Sequence, residues 1–119
     1  MTIEFVDLGA ERLEVLRIAP ERAGAALVFI PALGIFAIPD IKPQAPVHLL
    51  VIPHRHVPTI LDFTPEDHAI VGRMYGLAAR MARERDFAES GYRVVANCNR
   101  DGGQMVFHVH FHVLVQVPV

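Results

Sequence analysis

"FHVHFHV", residues 107–113, sets His108, His110 and His112 at alternate positions and so spends three of the chain's seven histidines within five residues. In a strand, successive side chains point to opposite faces. The three rings then share one face, with neighbours about 7 Å apart. Phe107, Val109, Phe111, Val113 and Val115 share the other, which reads as a core face. On a helix the rings would fan out around the axis and the apolar residues would form no stripe. The spacing therefore predicts a strand.

Upstream, "NRDGGQ" (99–104) is a glycine-bearing turn and "YRVVANC" (92–98) a second strand candidate. Before them lies one clear helix. Thr64 suits its N-cap and Pro65 its first position, and Glu66 and Asp67 complement the positive end of the dipole. Ile70, Val71, Met74, Leu77, Ala78 and Met81 follow helical spacing and are expected to face the sheet. Gly72 and Gly76 oppose helix formation at about 1 kcal/mol each; four apart, they either admit a partner's helix or are a tolerated weakness. "VHLLVIP" (47–53) is β-rich and stops at proline, after a loop "DIKPQAP" (40–46). "ALVFI" (26–30) and "IFAI" (35–38) form a candidate hairpin around "PALG", and "RLEVLRI" (12–18) alternates as a half-buried strand. The order of elements predicts an antiparallel α+β domain.

The chain has 119 residues, 52% hydrophobic and 20% charged, which suits one globular domain. Its formal net charge is -2 and Lys42 is its one lysine, which argues against a broad basic surface for duplex nucleic acid. Cys98 stands alone, so no internal disulfide and no cysteine zinc site is expected, in keeping with a reducing cytoplasm. The opening residues 1–15 are acidic where a secretory leader is basic. The longest apolar stretch, residues 23–39, is broken by Pro31 and Gly34 and is short for a membrane span. "LEVLRIAPERAGAALVFIPALG" (13–34) has some likeness to the opening strands of α/β-hydrolases, but the chain is too short for that fold. Its only serine, Ser90, lies in no Gly-x-Ser-x-Gly elbow.

Alternating histidines leave three chemistries open. Neutral imidazoles bind zinc at about 2.0–2.1 Å and can converge on one ion. An imidazole near its ordinary pKa of about 6.5 is also a competent nucleophile toward phosphorus at neutral pH. The third reading is histidines that are merely packed or solvated.

The flanking residues separate these. "DIKPQAPVHLLVIP" (40–53), "GYRVVANCNRDGGQ" (91–104) and "FHVHFHVL" (107–114) occur in the order and spacing of the histidine triad (HIT) family, in particular its Hint-like nucleotide hydrolases. The chain resembles that family from about residue 35 to residue 114. Its triad is His108-Val109-His110-Phe111-His112-Val113-Leu114. The resemblance implies a HIT-like fold: an antiparallel sheet of about five strands with one main helix packed on it. Residues 1–119 would form a single domain in which 1–34 supply atypical N-terminal strands. It also implies a homodimer, no cofactor, and a purine nucleotide or nucleotide conjugate as substrate.

The roles follow from the same resemblance. His110 would attack the α-phosphorus. His112 would touch the phosphate and help protonate the leaving group, and His108 and His48 would support the nucleophile. Asn97 and the backbone at Gly103 would position the phosphate, and Asp40 would accept from the ribose hydroxyls. Ile38, Ile41 and Leu50 would wall the base pocket. His54, His56 and His68 are given no role: "PHRH" reads as a solvated corner and His68 as an exposed residue of the first helical turn. The chain departs from the family pattern at Met105, where relatives carry a hydroxyl near the leaving group. It departs again after the triad, where "VQVPV" replaces the usual glycines and tail. Two rival readings remain beside the enzyme. One is a zinc protein using His108, His110 and His112; the other is a catalytically impaired nucleotide-binding module.

Overall fold

Among the described residues, five strands and one long helix carry the architecture. The computed structural model describes residues 28–30, 33–40 and 42–116. β1 (Val28–Ile30) and β2 (Ile35–Pro39) form the expected hairpin, with Val28 opposite Ala37 and Ile30 opposite Ile35. β3 (Val47–Pro53), β4 (Arg93–Val95) and β5 (Phe111–Val115) complete an antiparallel sheet of order β1-β2-β3-β5-β4. The expected α+β architecture, five strands and one main helix, is thus what the chain adopts. The candidate strand at residues 12–18 lies outside the described residues.

Helix α1 (His68–Glu84) follows a short 3-10 turn, Pro65–Asp67. Asp67 accepts from the Thr64 amide at 2.9 Å and hydroxyl at 3.1 Å, and it pairs with Arg55 from the loop after β3. The hydrogen bond from the Thr64 amide and the Arg55 guanidinium hold the Asp67 carboxyl below its usual range. The periodic residues of the helix land as expected: Met74, Leu77, Ala78 and Met81 are buried, with Ile70 and Val71 packed at the margin. They cover Ile35, Ala37, Leu49, Val51, Phe111, Val113 and Val115, one face of the sheet. Each of the larger side chains among them, fully buried, contributes about 1.5–3 kcal/mol. Gly72 and Gly76 lie on the exposed side, where an added Cβ would meet nothing within 4 Å. Among the described residues no helix is long and apolar enough to cross a membrane.

The opposite face of the sheet carries candidate site residues. Antiparallel register puts Ile38, Leu50, His112 and Val95 in one row across four strands. His48 stands opposite Leu114 in the next row on that face. Residues directly opposite in a ladder point to the same side, so His48 and His112 are diagonal neighbours by register alone.

The triad departs from the predicted strand in its first half. β5 begins at Phe111, so only His112 of the three histidines is on a ladder. Residues 107–110 leave the sheet, and the Val109 amide donates 2.7 Å to the Val57 carbonyl in the loop after β3. β3 ends at Pro53, which has no N–H to extend a ladder. Phe107, expected on the core face, is 50% exposed. Val109, Phe111, Val113 and Val115 are buried as expected, but His108 and His110 are buried too. The alternation of buried and open positions expected of a strand is lost over residues 108–111, which are all buried.

Candidate active site

His110 and His112 are neighbouring rings, centroids 4.9 Å apart, at the end of β5. The partners of each ring fix its tautomer, because a carbonyl only accepts and an amide N–H only donates. His110 Nδ1 lies 2.8 Å from the His108 carbonyl and must donate to it. In the neutral ring the lone pair then sits on Nε2. His48 Nδ1 accepts from the Gln44 amide at 3.0 Å, so its proton is on Nε2. His48 Nε2–H donates 2.8 Å to His112 Nδ1 and lies 3.4 Å from Asp40 Oδ2. His112 therefore carries its own proton on Nε2. The pair thus offers one unprotonated nitrogen, His110 Nε2, and one N–H donor, His112 Nε2.

The charges agree with this assignment. Burial, then the neighbouring His110 and His48, pushes the His112 pKa down from 6.5 to about 4, against a smaller opposing pull from Asp40. Burial also lowers His110, against its bond to the His108 carbonyl. His48 is lowered by burial despite Asp40 beside it. All three rings are neutral at neutral pH, which suits a nucleophile and a hydrogen-bond donor.

Asp40 is nearly covered, 4% exposed. Its Oδ1 accepts from the Lys42 amide at 2.8 Å and its Oδ2 faces His48. Leu50 stands opposite His112 and Ile38 lies one strand further along the same row, so two of the three expected pocket residues share the sheet face of His112. Ile41 lies outside the described residues.

Asn97 and Gly103 sit in a turn whose own polar groups are largely engaged. Asn97 Nδ2 donates to the Gly102 carbonyl at 2.7 Å, and the Gly103 amide donates to the Arg100 carbonyl at 3.0 Å. The glycines are demanded locally. A Cβ on Gly102 would fall 2.3 Å from the Cys98 carbonyl oxygen, and Gly103 has φ +78°. Gln104 anchors the turn, donating to the Pro58 and Val106 carbonyls and accepting from the Asn99 amide. Met105 next to it is 77% exposed.

His108 stands apart from the other two rings. It is fully buried; its Nε2 donates 2.8 Å to the Pro53 carbonyl and its Nδ1 meets His56 Nδ1 at 3.0 Å. The zinc set of the rival reading, His108, His110 and His112, is therefore not assembled. Among the described residues, the group with ligand atoms within 4.8 Å of one another is Asp40, His48 and His112. Binding an ion through His48 Nε2 would move that ring's proton to Nδ1, where it would face the Gln44 amide, another donor. A histidine ligand needs an acceptor on its second nitrogen, so this group suits a hydrogen-bond relay better than a metal.

His56 is the site residue that sequence reasoning missed. "PHRH" is not merely a solvated corner: His56 reaches back to the triad, and His54 packs its ring on Phe36 with centroids 5.1 Å apart. Nothing local distinguishes His56 in the sequence, because its partner lies 52 residues away. His68 is exposed, as expected.

Comparison with known proteins agrees with this geometry. The HIT domain family pattern matches residues 23–118. The purine nucleoside phosphoramidase of Escherichia coli strain K12 is 46% identical over 83 residues, 70% of this chain and 70% of that protein. A HIT family hydrolase from Legionella pneumophila superposes with a TM-score of 0.74 at 39% identity, over 86% of this chain and 90% of its own. A histidine triad protein from Clostridium difficile gives 0.74 at 33% identity, over 79% and 83%. With the triad, the five-stranded sheet and the matched span together, the chain belongs to the HIT-domain family.

Proposed function

We propose that this protein is a nucleotide hydrolase or transferase acting on the α-phosphate of a purine nucleotide conjugate, such as a phosphoramidate, through a nucleotidyl-His110 intermediate. The observation that carries the reading is the pair of opposite tautomers, a lone pair on His110 Nε2 beside an N–H on His112 Nε2. His110 Nε2 attacks phosphorus, the bond to the leaving group breaks, and water then cleaves the P–N bond to release the nucleoside monophosphate. His112 donates to the leaving atom or a phosphoryl oxygen. Ile38, Ile41 and Leu50 wall the base, Asn97 and the turn at Gly103 shape the phosphate end, and Met105 flanks the leaving group.

The name of the Escherichia coli relative supports the substrate class. The working unit in this reading is one domain, acting in the cytoplasm as a homodimer without a metal. β4 at the sheet edge and the open face at Gly72 and Gly76 are suited to a second copy. The test is rapid quench with adenosine phosphoramidate, following AMP release and seeking the alkali-stable nucleotidyl adduct by mass spectrometry. No AMP release from any adenosine conjugate would end this reading.

Two expectations accompany it. Because burial lowers His110 and His112, the nucleophile stays unprotonated as pH falls through the ordinary histidine range of about 6.5. The acid limb of kcat/KM is therefore expected below pH 6.5, and a limb at or above it would contradict the lowered pKa values of His110 and His112. Stability has the same sign. The lowered rings favour folding fully above pH 6.5, and that contribution is lost as pH falls toward their folded-state values.

Asp40→Ala is expected to weaken AMP by roughly tenfold to a hundredfold, the worth of a charged hydrogen bond of ~1.5–3 kcal/mol. Inorganic phosphate should be little affected. Calorimetry with both ligands reads this. Equal losses would mean that Asp40 serves His48 alone and does not meet the ribose.

A further inference from the structure

His56 lies outside every role given to the triad, yet it contacts the one triad histidine that no solvent reaches. We propose that His56 is a positioning residue for the nucleophile, acting through His108; this rests on the role of His110 proposed above.

The link is built from hydrogen-bond directions. His108 Nε2 must donate to the Pro53 carbonyl, 2.8 Å away. In the neutral ring His108 Nδ1 is then an acceptor. His56 Nδ1, 3.0 Å from it, has to be the donor. The two rings are tilted by 54° with centroids 5.1 Å apart. A donor at His56 thus locks His108 in the tautomer that holds Pro53. The main chain of His108 does the next step, because its carbonyl accepts the proton of His110 Nδ1 at 2.8 Å and leaves the lone pair on Nε2.

This arrangement answers a need set by the fold. Residues 107–110 have left the β5 ladder, so sheet hydrogen bonds no longer fix the carbonyl of residue 108. The loop after β3 replaces them with two consecutive contacts. His56 holds the His108 ring and the Val57 carbonyl holds the Val109 amide. That loop is itself tied to the start of α1 through Arg55 and Asp67. A nucleophile on an off-sheet segment is held by its supporting contacts, and such outer contacts commonly carry tenfold to hundredfold effects in metal sites.

The donor requirement separates a positioning role from simple packing. His56→Phe keeps a ring and removes the donor. His56→Asn removes the ring and keeps an N–H close to the position of Nδ1. The full chain, wild type and both variants, would be assayed with adenosine phosphoramidate under single-turnover conditions. AMP affinity would be measured alongside, and the ring-nitrogen spectrum of 15N-histidine-labelled protein recorded.

The expected result is a single-turnover rate lowered roughly tenfold to a hundredfold in His56→Phe, with AMP affinity within about twofold of wild type and most of the rate restored in His56→Asn. In wild type, His108 should be protonated on Nε2 and His56 on Nδ1, and His56→Phe should lose the single His108 tautomer. Three results would overturn the proposal: a wild-type rate in His56→Phe, an asparagine variant no better than phenylalanine, or a wild-type His108 protonated on Nδ1. Should His56→Phe fail to fold, the wild-type spectrum and the asparagine variant still decide. Should the wild type turn over no nucleotide, the enzymatic reading falls, while the ring spectra still decide whether His56 sets the state of His108.

Discussion

His110→Asn is expected to lower turnover of adenosine phosphoramidate by roughly four orders of magnitude or more, the scale seen when a covalent nucleophile is removed. AMP binding should stay within severalfold of wild type. Asparagine is a selective probe here because its side-chain N–H lies close to the position of His110 Nδ1. It can still donate to the His108 carbonyl, now at 2.8 Å from the ring nitrogen, and so preserve the local backbone. What it lacks is any nitrogen at the Nε2 position that can attack phosphorus. Rapid quench should trap the alkali-stable adduct in wild type and none in the variant. Turnover near wild type in a folded variant would remove His110 from the nucleophile's role.

His112→Asn should cost roughly 10²–10⁴-fold with an amine leaving group, the usual span of general acid–base contributions. Here the asparagine oxygen can take the place of His112 Nδ1 and accept from His48 Nε2–H, which lies 2.8 Å from that nitrogen. The relay back to His48 and Asp40 survives, and only the outward Nε2–H is lost. The loss should therefore depend on the leaving group. A nitrophenolate, which departs without a proton, should lose less than about tenfold. Single-turnover rates with both leaving groups make the comparison. Equal losses would show that His112 acts on the phosphoryl oxygens or on His110 and not on the departing atom.

Much of this molecule is legible in its residues. The periodicity of Met74, Leu77, Ala78 and Met81 located the helix and its buried side, since helical spacing needs no knowledge of what covers it. The β-rich runs at 35–38 and 47–53 gave two strands and their order, and the three motif blocks pointed to the HIT family before any geometry was known. Other features escaped because their causes are distant in the chain. β5 starts four residues later than Phe107 because the segment before it turns to the loop after β3, where the Val57 carbonyl takes the Val109 amide. The burial of His108 depends on a carbonyl 55 residues away.

By itself, then, the sequence determined the family and the elements on which most of the candidate site residues lie, because motif blocks, hydrophobic periodicity and short-range spacing are local properties. Only the tertiary structure decided where each proton sits. His110 Nε2 holds a lone pair because the His108 carbonyl claims Nδ1, and His112 Nε2 holds a proton because the Gln44 amide fixes His48. The histidine ring has two nitrogens of similar basicity, so its tautomer is set by the groups that folding brings against it.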